Sequence, residues 1–143
     1  MIVPDVNLLV YVLNADSPHH ARALAWWERV LTGHEAIGLP WVTVLGVLRI
    51  ATNRRIMSAP LPIDEAMTNV EDWLRQPVVS VVEPGPEHAR ILSDMLRQAG
   101  RGANLVTDAH LAALCVERGA TLCSADGDFQ RFRGLRYENP LLH

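Results

Sequence analysis

Short apolar blocks along the chain alternate with longer stretches in which apolar positions recur at helical spacing. Residues 1–4 are apolar and lead to Asp5, and a second apolar run over 8–13 follows at once. This pattern predicts a short buried strand, an acid at its C-terminal tip, and then a helix. A strand this apolar belongs inside a sheet, because frayed chain ends are usually solvated. Asn14-Ala15-Asp16-Ser17 reads as a turn with Asp16 or Ser17 as cap. Pro18 then opens an amphipathic helix over 18–32, carrying Ala21, Ala25, Trp26 and Val30, that stops at Gly33. Residues 36–39 read as a second strand, 43–51 as an apolar helix capped by Thr43, and 53–62 as a loop. Ile63, Ala66, Val70 and Trp73 place a helix over 63–75, and residues 78–82 form a β-branched strand. A helix over 86–99 closes on Gly100. The stretch 105–118 is apolar on nearly every side, so that helix is expected to be largely buried before it ends at Gly119. A strand over 120–123, a helical turn over 128–132 and a last strand over 135–138 complete the chain.

Strands and helices alternating in this order imply an α/β fold: a mainly parallel sheet of four to five strands with helices on both faces. At 143 residues and 49% hydrophobic content, one domain over 1–143 with a full core is expected. Cys115 and Cys123 lie in apolar segments without metal-ligand spacing and read as buried small hydrophobes. No basic leader with an apolar core opens the sequence, and no apolar run approaches the ~20 residues of a membrane span, so a cytoplasmic location without membrane association is expected. The net charge of −3 does not advertise nucleic-acid binding. All 13 basic residues are Arg, which clamps phosphate better than Lys; Arg-only usage also follows from a GC-rich genome.

The candidate chemistry is acidic. Asp5 follows the first strand, Asp108 opens the buried helix beside Thr107, and Asp126 and Asp128 follow the strand ending at Cys123. In a doubly wound sheet the end of a strand and the start of a helix lie at the same edge, so all four acids converge on one crevice. Each has a local explanation too: Asp5 as a helix cap, Asp108 as a cap or dipole partner, Asp126 and Asp128 as a capped turn. As a group they are harder to explain locally. Like charges at 4 Å repel by roughly 1–4 kcal/mol per pair, and folding does not gather them without a cation. All-oxygen ligands select a hard ion such as Mg²⁺ or Mn²⁺.

Three segments carry a family resemblance: Pro4-Asp5-Val6-Asn7-Leu8-Leu9, Thr107-Asp108-Ala109-His110-Leu111-Ala112-Ala113-Leu114, and Ser124-Ala125-Asp126-Gly127-Asp128-Phe129, followed by Gly134-Leu135 and Asn139-Pro140. In order and spacing the chain resembles a PIN-domain ribonuclease toxin of the VapC type, from bacterial toxin–antitoxin pairs. The resemblance covers essentially the whole chain and implies a PIN-like three-layer α/β/α sandwich. It implies that Asp5, Asp108 and Asp126 are the catalytic, metal-binding acids, that Asp128 assists them, and that Asn7 and Ser124 are polar neighbours of the ion. The implied reaction is attack of a metal-activated water on an RNA phosphodiester, leaving 5′-phosphate and 3′-hydroxyl ends. The implied partners are an RNA substrate, a second copy of the chain, and a small VapB-type antitoxin whose C-terminal segment covers the site and an apolar groove between early helices.

The chain departs from that pattern at one place. The family carries a Glu in the second helix, in a pattern like Thr-x-x-Glu-apolar-x-Arg, whereas Thr43-Val44-Leu45-Gly46-Val47-Leu48-Arg49 has Gly46 there, and no acid occurs over 36–63. Gly46 either serves close packing or leaves room for substrate. The alternative function that follows is an RNA- or antitoxin-binding module with weak or no catalysis. Asp94 is an acid outside the motifs that could join the site. His110 reads as a surface histidine or a phosphate or metal contact. Arg49, Arg54 and Arg55 read as an RNA-backbone cluster or a solvated loop. Trp26 and Trp73 fall on core faces, while Trp27 and Trp41 look more open and suited to partner binding. An aspartyl-phosphate fold also uses acids at strand ends, but it needs a Lys near the site and the chain has none.

Overall fold

A computed structural model describes residues 1–100 and 105–142. Five strands form one parallel sheet in the order β3-β2-β1-β4-β5: β1 Ile2–Pro4, β2 Ile37–Pro40, β3 Val79–Val82, β4 Thr121–Cys123 and β5 Arg136–Glu138. The apolar first strand is central, as its sequence requires: Ile2 pairs with Ile37 on one side and Thr121 on the other.

Side chains alternate across the sheet, so each face feeds its own core. Ile2, Ile37, Leu39 and Cys123 join one cluster, covered by α1 Val6–Leu13, α2 His20–Leu31, α3 Trp41–Ala51 and α4 Ile63–Leu74. Val3 and Leu122 join the other, covered by α5 His88–Ala99, α6 Val106–Arg118 and the Gly127–Arg131 turn through Phe129. The molecule is thus a three-layer α/β/α sandwich. Cys115 and Cys123 are buried free thiols, and burial pushes both up to about 12.

The element boundaries that moved did so for local reasons. α2 begins at His20, two residues after Pro18, because Ser17 is spent on a turn, its hydroxyl accepting from the His19 N–H at 3.1 Å. α3 begins at Trp41 behind Pro40, so Thr43 does not cap it; the buried Thr43 hydroxyl donates to the Pro4 carbonyl at 3.1 Å and ties α3 to the end of β1. Trp27, read as open, is 1% exposed and packs edge-on against Trp73, with ring centroids 5.5 Å apart. Its indole faces the core because α2 turns a wider stripe inward than its spacing suggested. Trp41, by contrast, is 45% exposed. Asp94 lies exposed on α5, paired with Arg97 at 3.0 Å, and takes no part in the acidic crevice.

Candidate active site

The sheet order reverses direction at β1, with β2 on one side and β4 on the other, and ligands of open α/β sheets bind outside the strand ends at such a point. Asp5 leaves the end of β1 there, its backbone N–H donating to the Cys123 carbonyl at 2.8 Å. Asp126 follows β4, and Asp108 sits in the first turn of α6. Together they line a pocket of about 170 Å³. Asn7 and Thr107 add polar groups to its lining, and α3 contributes Val42, Thr43 and Arg49.

Asp5 and Asp126 act as local caps and also line the pocket. Asp5 caps α1, with Oδ1 accepting from the Val6 N–H at 2.7 Å. Asp126 caps the following turn, with Oδ1 accepting from the Asp128 N–H at 2.9 Å. Asp108 caps nothing; as a first-turn acid it meets the positive end of the α6 dipole. Ser124 is fully buried and joins two of the acids: its hydroxyl donates to Asp5 Oδ2 at 2.7 Å and accepts from the Asp126 N–H at 3.0 Å. The Tyr137 hydroxyl donates to the Ser124 carbonyl at 3.0 Å and braces this strut from β5. Sequence spacing alone does not reveal Tyr137, because the contact depends on β5 lying beside β4.

The electrostatics follow from enclosure. Burial raises Asp5 above the ordinary carboxylate range, and Asp126 adds to the rise, against hydrogen bonds from Ser124 and Val6 that oppose it. Burial, then the Asp5 and Asp126 charges, lift Asp108 to about 6, with Arg131 opposing. Asp128 adds to the field on Asp108 but stands at the rim, mostly exposed and 3.7 Å from Arg131. Of the expected Arg cluster only Arg49 lines the pocket; Arg54 and Arg55 are exposed beyond α3. His110 is neither a surface histidine nor part of the acid pocket. It is half-buried, with Nδ1 2.9 Å from His88 Nε2, and burial together with His88 lowers its pKa.

Gly46 is buried against α1. A Cβ there would lie 2.6 Å from Val6 Cγ2, so the glycine serves close packing, and having no side chain it contributes no ligand. The remaining donors are all oxygens that repel one another, which suits a hard cation. Among the described residues no three His, Cys, Asp or Glu side chains close around one point. Such a donor set suits an ion that keeps much of its water and takes only one or two carboxylates.

A PIN domain profile matches residues 2–135. Ribonuclease VapC37 of Mycobacterium tuberculosis is 45% identical over 140 residues, covering 98% of this chain and 97% of that protein. Two solved structures share the fold: VapBC2 from Rickettsia felis bound to a DNA fragment from their promoter (TM-score 0.71, 15% identity, 97% of this chain and 98% of that one), and VapC20 of Mycobacterium tuberculosis, a sarcin-ricin loop cleaving toxin (TM-score 0.68, 18% identity, 95% and 99%). An α/β/α sandwich with acids at its switch point is the architecture of a PIN domain. The chain belongs to the PIN-domain family and, within it, to the VapC ribonucleases. No helix among the described residues is long and apolar enough to cross a membrane.

Proposed function

We propose that the chain is a metal-dependent endoribonuclease, the toxin of a toxin–antitoxin pair. The observation that carries this reading is the convergence of Asp5, Asp108 and Asp126 on one pocket. These acids would hold Mg²⁺ or Mn²⁺. Such an ion supplies an activated water and neutralises charge on the scissile phosphodiester. Asp5 is held in one orientation by Ser124 and the Val6 N–H, so its oxygens are preorganised. Arg49, which lines the same pocket, would clamp a phosphate oxygen of the bound strand. Asn7 offers a neutral polar contact at the mouth. The VapC likeness supports a VapB-type antitoxin as partner, a homodimer as the working form, and one domain over 1–143.

The test is cleavage of total RNA by the purified protein with Mg²⁺ or Mn²⁺. Cleavage that is lost with EDTA and in Asp5→Asn supports the reading; cleavage surviving both would sink it. The packing of Gly46 against Val6 motivates a second reading, a module that binds RNA or antitoxin with little catalysis. Tight binding of an oligoribonucleotide without any metal-dependent scission would favour it.

A further inference from the structure

We propose that a second cleft beside the acid pocket holds a nucleobase flanking the scissile phosphodiester. The cleft measures about 260 Å³ and is lined by Trp41, Val42, Val82, Glu83, His110 and Leu114, with prolines at its ends. It shares two elements with the acid pocket. Val42 of α3 lines both. α6 turns Asp108 and Leu111 to the acid pocket and His110 and Leu114 to the cleft, two neighbouring stripes of one helix. A strand whose phosphate sits at the acids therefore has its next base beside Trp41.

The lining suits a neutral base rather than a second phosphate. Among the described residues that line it there is no Arg, and the one acid is Glu83. Trp41 offers an exposed indole at the start of α3, and indole faces stack on bases irrespective of sequence. His110 supplies direction. Its Nδ1 is engaged by His88 Nε2 at 2.9 Å, and the enclosed His88 Nδ1 has no partner among the described residues. The arrangement that buries no unpaired N–H places the His88 hydrogen on Nε2. His88 then donates, His110 Nδ1 accepts, and the remaining His110 hydrogen sits on Nε2. His110 and Glu83 both line the cleft, so a ring donor and a carboxylate acceptor are available there, the pair that would read the edge of a base.

This inference rests on the nuclease reading, and fluorescence tests it separately. Trp26, Trp27 and Trp73 are 4%, 1% and 7% exposed, so quenching by an added strand reports on Trp41. Full-length Asp108→Asn protein is titrated with 12-mers of A, of C and of U, and with a base-free sugar–phosphate 12-mer. The natural strands are expected to quench the emission and the base-free strand to leave it unchanged. Trp41→Ala should weaken binding of the natural strands about 5- to 150-fold, the loss of one stacked base, and leave the base-free strand unaffected. His110→Phe should retain stacking and abolish any preference among A, C and U. Equal losses for natural and base-free strands on Trp41→Ala overturn the proposal. So does a Trp41 that is shielded until the protein is diluted, which makes this face an interface between copies. Base-dependent quenching in a protein whose wild type cleaves nothing removes the nuclease reading and leaves the cleft; cleavage without such quenching does the reverse.

Discussion

At the residue scale, the site turns on how a buried serine holds two acids that repel each other. Ser124 donates to one and accepts from the backbone of the next, so its hydroxyl bridges the two through bonds within the protein. Ser124→Ala removes the donor from Asp5 Oδ2 and the acceptor from the Asp126 N–H. Metal affinity or activity should fall about 10- to 100-fold with the fold retained, measured as the Mg²⁺ dependence of cleavage and the thermal midpoint. The acids also set a pH dependence. Asp108 is lifted from 3.8 to about 6, and Asp5 is raised as well. Both carboxyls thus bind protons more tightly folded than unfolded, and that contribution is present in acid and lost as pH rises from about 4 through 6. With EDTA the midpoint should fall over this window. Mg²⁺, by relieving the repulsion among ionised carboxylates, should raise it more at pH 7.5 than at pH 5. Equal gains at both values would count against a metal at these acids.

At the scale of elements, α1 and α3 set the shape of the pocket through one glycine. A methyl at Gly46 would lie 2.6 Å from Val6 Cγ2, and overpacking of that kind costs about 1–3 kcal/mol, more than the ~1 kcal/mol of helix propensity Ala would restore. Gly46→Ala should therefore destabilise the wild type yet stabilise a Val6→Ala background. A denaturation cycle over the four proteins reads that reversal of sign. The glycine was visible in the sequence as the gap in a motif, but its reason was not, because it depends on where Val6 lands across a helix crossing. The same holds for His88 and His110, far apart in the chain and joined only when α5 packs on α6. Asp5, Asp108 and Asp126 were legible because strand tips and helix starts share an edge whatever the detailed packing. Trp27 was not legible as core because α2 buries two adjacent positions, Trp26 and Trp27, a wider stripe than the spacing of its apolar residues suggests.

At the scale of the whole molecule, the parallel sheet was legible from alternation alone, and the central place of β1 from its uninterrupted apolar character. The charge distribution was not, and it bears on how RNA would be held. Of 13 arginines, Arg75, Arg90, Arg97 and Arg131 are spent in pairs with acids one turn away. Arg22 and Arg118 donate to backbone carbonyls of Leu141 and Glu83. Among the described residues only Arg49 lines the acid pocket, and the net charge is −3. A net charge of −3 gives no overall attraction for a polyanion, so binding would rest on local contacts: the metal, Arg49 and a stacked base. Each phosphate neutralised on a single strand contributes a slope of about −0.7 to log K against log salt. With about one to three such contacts the slope should lie between about −0.7 and −2. Asp108→Asn protein titrated with an oligoribonucleotide at constant Mg²⁺ and rising KCl measures it. Arg49→Ala should flatten the slope by about one contact, whereas Arg54→Ala and Arg55→Ala, outside the pocket, should not. A slope steeper than about −4, or one indifferent to Arg49, would mean that the strand is held by a basic surface elsewhere on the molecule.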